Sequence, residues 1–494
     1  MRKPQRADVA GMWAGLCFSC LLSWIAVMFH SLNLYGLIDN REAVLRDTYT
    51  ISAIAAAFTL LAVAILGSKS ERLLSSRVLT AITPLAMTAS SLLPPLCSNC
   101  HALSGPLIAV CGIASGASSG IATVYVGLTL CRLGLRPLIV ALSIGQIGAA
   151  LFSIAPQIAP PGTSAIFAAS FPPVGTLAML LSLRFSNSNE PRSATGKAEP
   201  KTSPSEAREI GLLIARLSLC VLLIACTHEL ARTLLTQMSI PNHVSYSYLL
   251  TQMVIVIGSA VGSVGIALSL MNIRRISMPF ICHTAIFALL ALGALALPLP
   301  LIYPEINLLV PVALDQVSYF FFSFVLWVMA IVLCQRFGEA RVRILAVIRL
   351  GGTAGALAGI LLGRLTIGIE GATVQSAFAC MLLALGAISV ALWLAFNEHA
   401  LMAVMEVVPH PFRKRFQDKC QAVARHFGLT EREEEIMVLF AKGRNLAFIQ
   451  EELFLSRNTI STHRQHIYKK LGIHSQQELL DLVQNYDAYK TPKN

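Results

Sequence analysis

Runs of about 20 apolar residues, the length a helix needs to cross a bilayer, recur along most of this 494-residue chain. About twelve can be separated, over residues 9–29, 48–67, 78–96, 105–130, 137–156, 163–183, 210–228, 247–270, 279–301, 307–333, 344–363 and 375–396, and each predicts a membrane-spanning helix. The first follows Met1-Arg2-Lys3-Pro4-Gln5-Arg6. It is too long for a signal-peptide core and lacks a small-residue cleavage site, so it reads as an uncleaved span. The longest internal loop, 184–209, is rich in Ser, Pro, Lys and Glu and has no apolar period, which predicts a disordered linker.

That linker divides the spans six and six, the layout of membrane modules built from two six-helix halves. After about residue 397 the pattern changes to short amphipathic stretches with no further span, and the last 90 or so residues carry 14 Lys or Arg and 11 Asp or Glu. The expected organisation is a membrane module over 1–396, a linker over 397–420 and a soluble helical domain over 421–494.

Composition agrees with this division. The chain is 55% hydrophobic and 13% charged, about half the charge of an average soluble domain, which excludes a soluble globular enzyme. Its net charge of +12 becomes informative once located. With the N-terminus in the cytoplasm, the inside loops collect Arg2, Lys3, Arg6, Lys69, Arg72, Arg77, Arg132, Arg136, Arg184, Arg192, Lys197, Lys201, Arg208, Arg274, Arg275, Arg336, Arg341 and Arg343, whereas the outside keeps only Arg41, Arg46, Arg232 and Arg364. The asymmetry places both termini in the cytoplasm. Most of the twelve cysteines lie in apolar segments, where a thiol acts as a small hydrophobe.

Few ionisable groups fall within the spans. Arg216, Asp315 and Arg349 do, with His283, Gln146, Gln252 and Gln316 at similar depth. Charge at membrane depth is costly and faces the bundle interior with a partner. Arg216, Asp315, Arg349, Gln146 and Gln252 are therefore the candidate ligand-binding residues, and an Asp315–Arg349 ion pair locking two helices is the structural alternative. Glycines four apart (Gly112, Gly116, Gly120; Gly258, Gly262; Gly355, Gly359, Gly363) predict close helix packing within the bundle, or a dimer interface. The run Cys97-Ser98-Asn99-Cys100-His101 has the spacing of c-type haem attachment, but its loop is too short to enclose a haem. A disulfide, a metal contact or chance are the other readings. No cofactor, resident metal or catalytic residue is expected, because no nucleophile–base pairing, phosphate loop or ligand set accompanies it.

The C-terminal domain predicts four short helices. Thr430-Glu431-Arg432-Glu433 is a capping box, followed by a helix with Ile436, Leu439 and Phe440 on one face that stops at Gly443. Asn445 caps a second helix through Leu453, with Ile449 and Leu453 inward, and Phe454-Leu455 makes a tight turn. Ser456 caps a third helix to about Leu471, buried through Ile460, Ile467 and Leu471. Its remaining faces carry Arg457, Asn458, Ser461, Thr462, Arg464, Gln465, Tyr468, Lys469 and Lys470, with no acid. Gly472 ends it, and Ser475 opens a last helix bearing Leu479, Leu482 and Val483. Two helices joined by a tight turn, the second basic and polar, describe a helix-turn-helix whose second element enters the major groove.

The run Leu429-Thr430-x-Arg432-Glu433, Gly443, Ile449, Leu453, Ser456, Thr459-Ile460, His463, Ile467, Lys470-Leu471-Gly472 resembles the LuxR-type helix-turn-helix of the NarL and LuxR regulators. Gln450 stands where that family usually has Ala, and Gln476 where Arg is frequent. The resemblance implies that Ser461, Thr462 and Gln465 read bases in promoter DNA, with Asn458 also among the DNA-binding residues. Arg457, Arg464 and Lys469 would hold phosphates, which sets affinity without sequence information. It also implies a dimer contact from Leu479, Leu482 and Val483. The six-plus-six layout is similar to the major facilitator superfamily, whose loop after the second span usually reads Gly, Asp, Arg, Gly, Arg. Here it is Gly67-Ser68-Lys69-Ser70-Glu71-Arg72-Leu73-Leu74-Ser75-Ser76-Arg77, with no second glycine and Glu71 in place of Asp.

The chain is thus expected to be an all-α, polytopic bundle fused to a four-helix DNA-binding domain, in the bacterial cytoplasmic membrane. The expected function is a one-component regulator that senses a small molecule and binds promoter DNA, as a homodimer, with RNA polymerase a further partner. The alternative is a transporter with an appended regulatory domain. A simple membrane tether for DNA is a third reading.

Overall fold

The structure, a computed structural model, describes residues 6–35, 41–97, 104–186, 204–239, 258, 286–337, 340–370, 373–395, 411–441, 446–453 and 455–485. Among them every regular element is a helix, and the chain divides into two compact units, Met1–Val404 and Met405–Asn494.

In the first unit the described helices of the first half are α1 (Arg6–His30), α2 (Arg41–Leu66), α3 (Ser68–Leu74), α4 (Arg77–Cys97), α5 (Ser104–Leu130), α6 (Leu135–Ile158) and α7 (Pro161–Ser186). Those of the second half are α8 (Pro204–Ser239), α9 (Ile286–Ala296), α10 (Leu299–Ile302), α11 (Leu309–Arg336), α12 (Arg341–Glu370) and α13 (Val374–Ala395). Nine helices among the described residues, α1, α2, α5, α6, α7, α8, α11, α12 and α13, are long and apolar enough to cross a membrane. Residues of α4 and of α9–α10 form shorter apolar stretches. The span expected at 279–301 is broken between α9 and α10, where Pro298 and Pro300 fall and proline withdraws its amide from the helical ladder. The run at 247–270 lies outside the described residues apart from Gly258, as do Gln252, His283 and 98–103 of the Cys97–His101 run. Large apolar side chains such as Phe58, Ile65, Leu85, Ile166, Leu365 and Trp393 are exposed, while Ser19, Ser23, Ser115, Gln146 and Ser318 are buried. That inversion suits lipid as the solvent, since polar groups must then find partners inside.

Glycine seams set the packing. A Cβ on Gly116 would meet the Ser52 carbonyl of α2, and one on Gly112 would lie 2.8 Å from Ile51. On α12, a Cβ at Gly355 or Gly359 would collide with the Leu222 or Cys226 carbonyl of α8, and one at Gly363 would sit 2.8 Å from Thr233. The described stripes therefore pack within one molecule. Gly15 and Gly145 bring α1 and α6 together in the same way.

The helix α8 runs eleven residues past the expected end at 228, to Ser239. It carries His228, Glu229 and Arg232 inside the bundle, so Arg232 is a helix residue and not a loop charge. Arg41, Arg46 and Arg364 likewise sit on α2 and α12, and Arg364 Nη2 donates to Thr50 Oγ1 at 2.9 Å.

The two halves meet where α3 and the end of α5 face α11 and α12. Arg341 Nε donates to Glu71 Oε1 at 3.0 Å. Gln335 Nε2 donates to the Cys131 and Leu133 carbonyls at 3.1 and 2.7 Å, and the neighbouring Cys334 thiol, close to that of Cys131, donates to the Arg341 carbonyl at 3.5 Å.

The second unit contains α14 (Pro411–His426), α15 (Glu431–Ala441), α16 (Leu446–Leu453), α17 (Arg457–Leu471) and α18 (Gln476–Asn485). It therefore has five helices where four were expected. The last ten residues of the expected linker 397–420 belong to α14, whose Cys420, together with Val423 and Ala424 beyond the linker, joins Ile436, Met437, Phe440, Ile449, Ile460, Ile467 and Leu471 in one core. The basic run Arg413-Lys414-Arg415 drew attention away from this three-and-four apolar spacing.

Two outcomes test this packing. Gly355→Ala is expected to destabilise the bundle by about 1–3 kcal/mol through overpacking, while Gly368→Ala on the same helix, where a Cβ meets nothing within 4 Å, leaves the melting temperature in detergent unchanged. Mild copper–phenanthroline oxidation is expected to cross-link Cys131 to Cys334. After cleavage at a protease site inserted within 187–200, the halves should then migrate together until reduced, and Cys131→Ser should release them.

Candidate functional site

The second helix of the helix-turn-helix, α17, is built by caps and a buried stripe. Ser456 Oγ accepts from the Thr459 amide at 3.2 Å and starts α17. Gly472 closes it in the left-handed conformation, φ 66°, where an L side chain would be strained. Ile460, Ile467 and Leu471 fix the inward face. At 100° per residue, Asn458, Thr462, Gln465 and Lys469 then share the opposite face, and all four are exposed. Arg457 is exposed on the flank and Ser461 is half-buried beside the row. Arg464 is half-buried, its guanidinium 5.9 Å from the Phe440 ring centroid, so its stem leans on the domain. Sequence reasoning omitted His466, which is exposed next to Gln465.

Lys470 has a structural task. Its Nζ lies 2.6 Å from Glu433 Oε2 and 3.2 Å from the Gly428 carbonyl. Glu433 also closes the capping box, accepting from the Thr430 amide at 2.8 Å, while Thr430 Oγ1 accepts from the Glu433 amide at 3.3 Å. Burial pushes the Glu433 carboxyl up, but Lys470 and the Thr430 amide and hydroxyl outweigh it and hold the group below its ordinary value. Glu478 is also lowered, by the His474 amide and the Ser475 hydroxyl at the start of α18. Gln476 Nε2 donates to the Phe440 carbonyl at 2.8 Å, completing the end of α15. Leu479 and Val483, expected at a dimer surface, are fully buried in the domain's own core, and Leu482 is half-buried. The apolar stripe of the last helix is used up by the fold.

The membrane unit holds a second polar cluster. Asp315 Oδ2 on α11 lies 2.8 Å from His228 Nδ1 on α8, and the His228 ring stacks on Tyr319 with centroids 3.9 Å apart and planes 4° apart. Beside it, Glu229 accepts from Tyr49 Oη and from Arg232 Nε, each at 2.8 Å, and the Arg232 guanidinium covers the Tyr49 ring at 4.9 Å. Gln146, buried on α6, donates to the Phe320 carbonyl at 3.4 Å across the two halves. Arg349 on α12 lies 5.3 Å from the Trp327 ring centroid. The expected Asp315–Arg349 pair is therefore replaced by Asp315–His228. Arg216 is exposed on α8, away from the interior that its depth suggested. Gln146 and Arg349 lie against α11, which carries Asp315, whereas Gln252 is outside the described residues. Sequence reasoning missed His228, Glu229, Arg232 and Tyr49. The signal was the three-residue spacing of Glu229 and Arg232 with Leu230, Leu234 and Leu235 continuing the apolar period.

Residues 428–483 match the family described as bacterial regulatory proteins, luxR family. Fimbriae Z protein of Salmonella typhimurium is 39% identical over 59 residues, 12% of this chain and 28% of that protein. Response regulatory protein YgeK of Escherichia coli is 50% identical over 52 residues, 10% of this chain and 35% of that one. Oxygen regulatory protein NreC of Staphylococcus aureus is 45% identical over 53 residues, 11% and 24% of the two chains. The chain spans about a third or less of the length of these relatives. Among solved structures, the human organic anion transporter MFSD10 aligns with TM-score 0.53 and 15% identity over 80% of this chain and 100% of its own. A bacterial homologue of the iron transporter ferroportin gives 0.53 and 14%, over 79% and 98%. The major facilitator proton:xylose symporter XylE gives 0.52 and 13%, over 80% and 95%. The C-terminal segment is a LuxR-type helix-turn-helix domain. The apolar helices preceding it have the major facilitator fold, and together they make a multi-pass membrane protein with a DNA-binding tail.

The Glu433–Lys470 pair yields a pH-dependent prediction. A depressed folded value means that the pair stabilises above the unfolded carboxylate value, about 4.3, and loses this as pH falls through the lower folded value. The Glu433 side chain is 6% exposed but that of Lys470 is 37%, so the interaction lies between a buried and a surface ion pair. Lys470→Met is expected to cost the domain about 1–2 kcal/mol at pH 7 and less at pH 3. Hydrogen exchange at 431–441 in the full-length chain reads this difference.

Proposed function

We propose that this protein is a membrane-tethered one-component transcriptional regulator of the cytoplasmic membrane, with both termini in the cytoplasm. It senses a small molecule through its transmembrane helices and binds promoter DNA through α17. The carrying observation is the solvent-exposed row Asn458, Thr462, Gln465 and Lys469, on a helix capped at both ends and free of acids. Such a surface suits the major groove, with phosphates held by Arg457, Arg464 and Lys469 and bases read by Asn458, Ser461, Thr462 and Gln465.

The tail binds DNA as a homodimer on this reading, and RNA polymerase is a further partner at the promoter. With Leu479 and Val483 buried, the dimer contact must use other residues of α18 or another element. Gln146, Asp315 and Arg349 are the proposed ligand contacts. Ligand binding reaches the tail along the chain that follows α13, and it acts only through its differential affinity for two states of the bundle. The second reading, a transporter that also reports its substrate, is favoured by the major facilitator fold. Accumulation of substrate in vesicles supports it, and ligand-dependent transcription without flux supports the sensor.

The DNA assignment is tested with full-length protein in micelles on fragments recovered by chromatin capture. Lys469→Ala and Arg464→Ala are each expected to weaken binding about equally on all sequences and to lower the salt slope by about one. Gln465→Ala should relax base preference by about 1–3 kcal/mol at one position. Unchanged duplex binding in all three variants overturns the assignment of α17.

A further inference from the structure

We infer that Arg349 is the anchor for a small monocarboxylate with an apolar tail, a proposal that names the ligand class for the sensing reading above and rests on it. The argument begins with the supply of negative charge. No Asp or Glu occurs between Glu229 and Glu305, or between Asp315 and Glu339, so the spans of the second half contain very few carboxylates. Glu229 is committed to Arg232 and Tyr49. Asp315 is committed to His228. Among the described residues Arg349 has no carboxylate partner, although it lies eight residues into α12, about 12 Å along the helix from Arg341. A guanidinium stays charged at any physiological pH, and at membrane depth such a charge calls for compensation.

The surroundings define what can supply it. Arg349 lines a space with Leu326, Trp327, Ala330, Leu345 and Ile348. One face is an indole and the rest is aliphatic. A single fixed cation in apolar walls matches a single carboxylate, which guanidinium binds through two parallel hydrogen bonds. The cavity between the lining atoms is about 10 Å³, room for about one water and far below the roughly 300 Å³ at which pockets for drug-sized molecules begin, so only a small ligand, admitted by movement of the walls, suits it. The space is narrow, and a ligand enters as the walls part. Trp327 also meets Phe18 of α1 edge-on, with centroids 5.2 Å apart, so a guest that shifts Trp327 would disturb a contact between the two halves. Entry would thereby favour a parted arrangement of the bundle, as a sensor requires.

The test is isothermal titration of the full-length protein in nanodiscs with benzoate, phenylacetate and hexanoate, each against its neutral amide. At least one carboxylate is expected to bind about tenfold or more tightly than its amide and to quench tryptophan fluorescence. Arg349→Gln should abolish the preference and Arg349→Lys retain part of it, with thermal unfolding checking that both variants fold. Equal binding of every carboxylate and its amide to the wild type, or an unchanged preference in Arg349→Gln, overturns the proposal. A promoter reporter separates this from the sensing reading. Transcription that answers to amides and not to acids keeps the sensor and overturns the anion class, whereas Arg349-dependent carboxylate binding with no reporter response keeps the site and overturns the sensor.

Discussion

Burial of charge in lipid is the constraint on which the rest of this molecule depends. Water is absent from the bilayer core, so each ionised group brought there must meet its opposite or a polar partner inside the protein. Glu229 gathers a tyrosine and an arginine, and Asp315 reaches across to His228 on a neighbouring helix. Those contacts tie α8 to α11 and to α2, while the glycine seam between α8 and α12 lets a further helix pack closely on α8 by removing the side chains that would hold the backbones apart. Polar pairing and small-residue packing thus divide the work: each fixes different neighbours of the same helix.

The small domain solves the opposite problem. In water, cations are cheap to expose, and its basic residues divide into those the fold consumes and those it leaves free. Lys470 is consumed, by a carboxylate that also caps α15. Arg464 is partly consumed by Phe440. Lys469 and Arg457 remain exposed on the helix. A census of charge would treat these four alike, yet Lys470 cannot turn to DNA without unmaking the domain, whereas the other three can release counterions.

What was legible in the sequence follows from how local each signal is. Spans, caps and the helix-turn-helix were legible because they depend on residues three to twenty apart: Thr430 and Glu433, Ser456 and Thr459, and the apolar runs themselves. The end of α8 was not, because His228 and Glu229 interrupt the hydropathy that defines a span, and only their distant partners show that they stay inside. The first helix of the tail was hidden by Arg413-Lys414-Arg415, which dominates the composition around Cys420. Leu479 and Val483 could equally have faced a second copy or their own core, since an apolar stripe does not say what covers it. The partner of Asp315 depended on the relative rotation of α8, α11 and α12, which no local pattern encodes.

The same constraint explains how such a bundle can act as a detector. A closed set of mutually satisfied charges has no reason to rearrange, because breaking any pair strands both members in a medium that cannot solvate them. A set with one cation left over differs, since an incoming anion completes it and adds free energy without breaking a pair. Whether that free energy moves the bundle depends on geometry. It does so only if the anion is accommodated better in one arrangement of the helices than in another, and a tenfold difference amounts to about 1.4 kcal/mol. Arg349 meets that condition on the proposed reading, because the indole it lies against is also packed on the opposite half. The residue that would hold the ligand and the contact that would register it thus share one tryptophan ring.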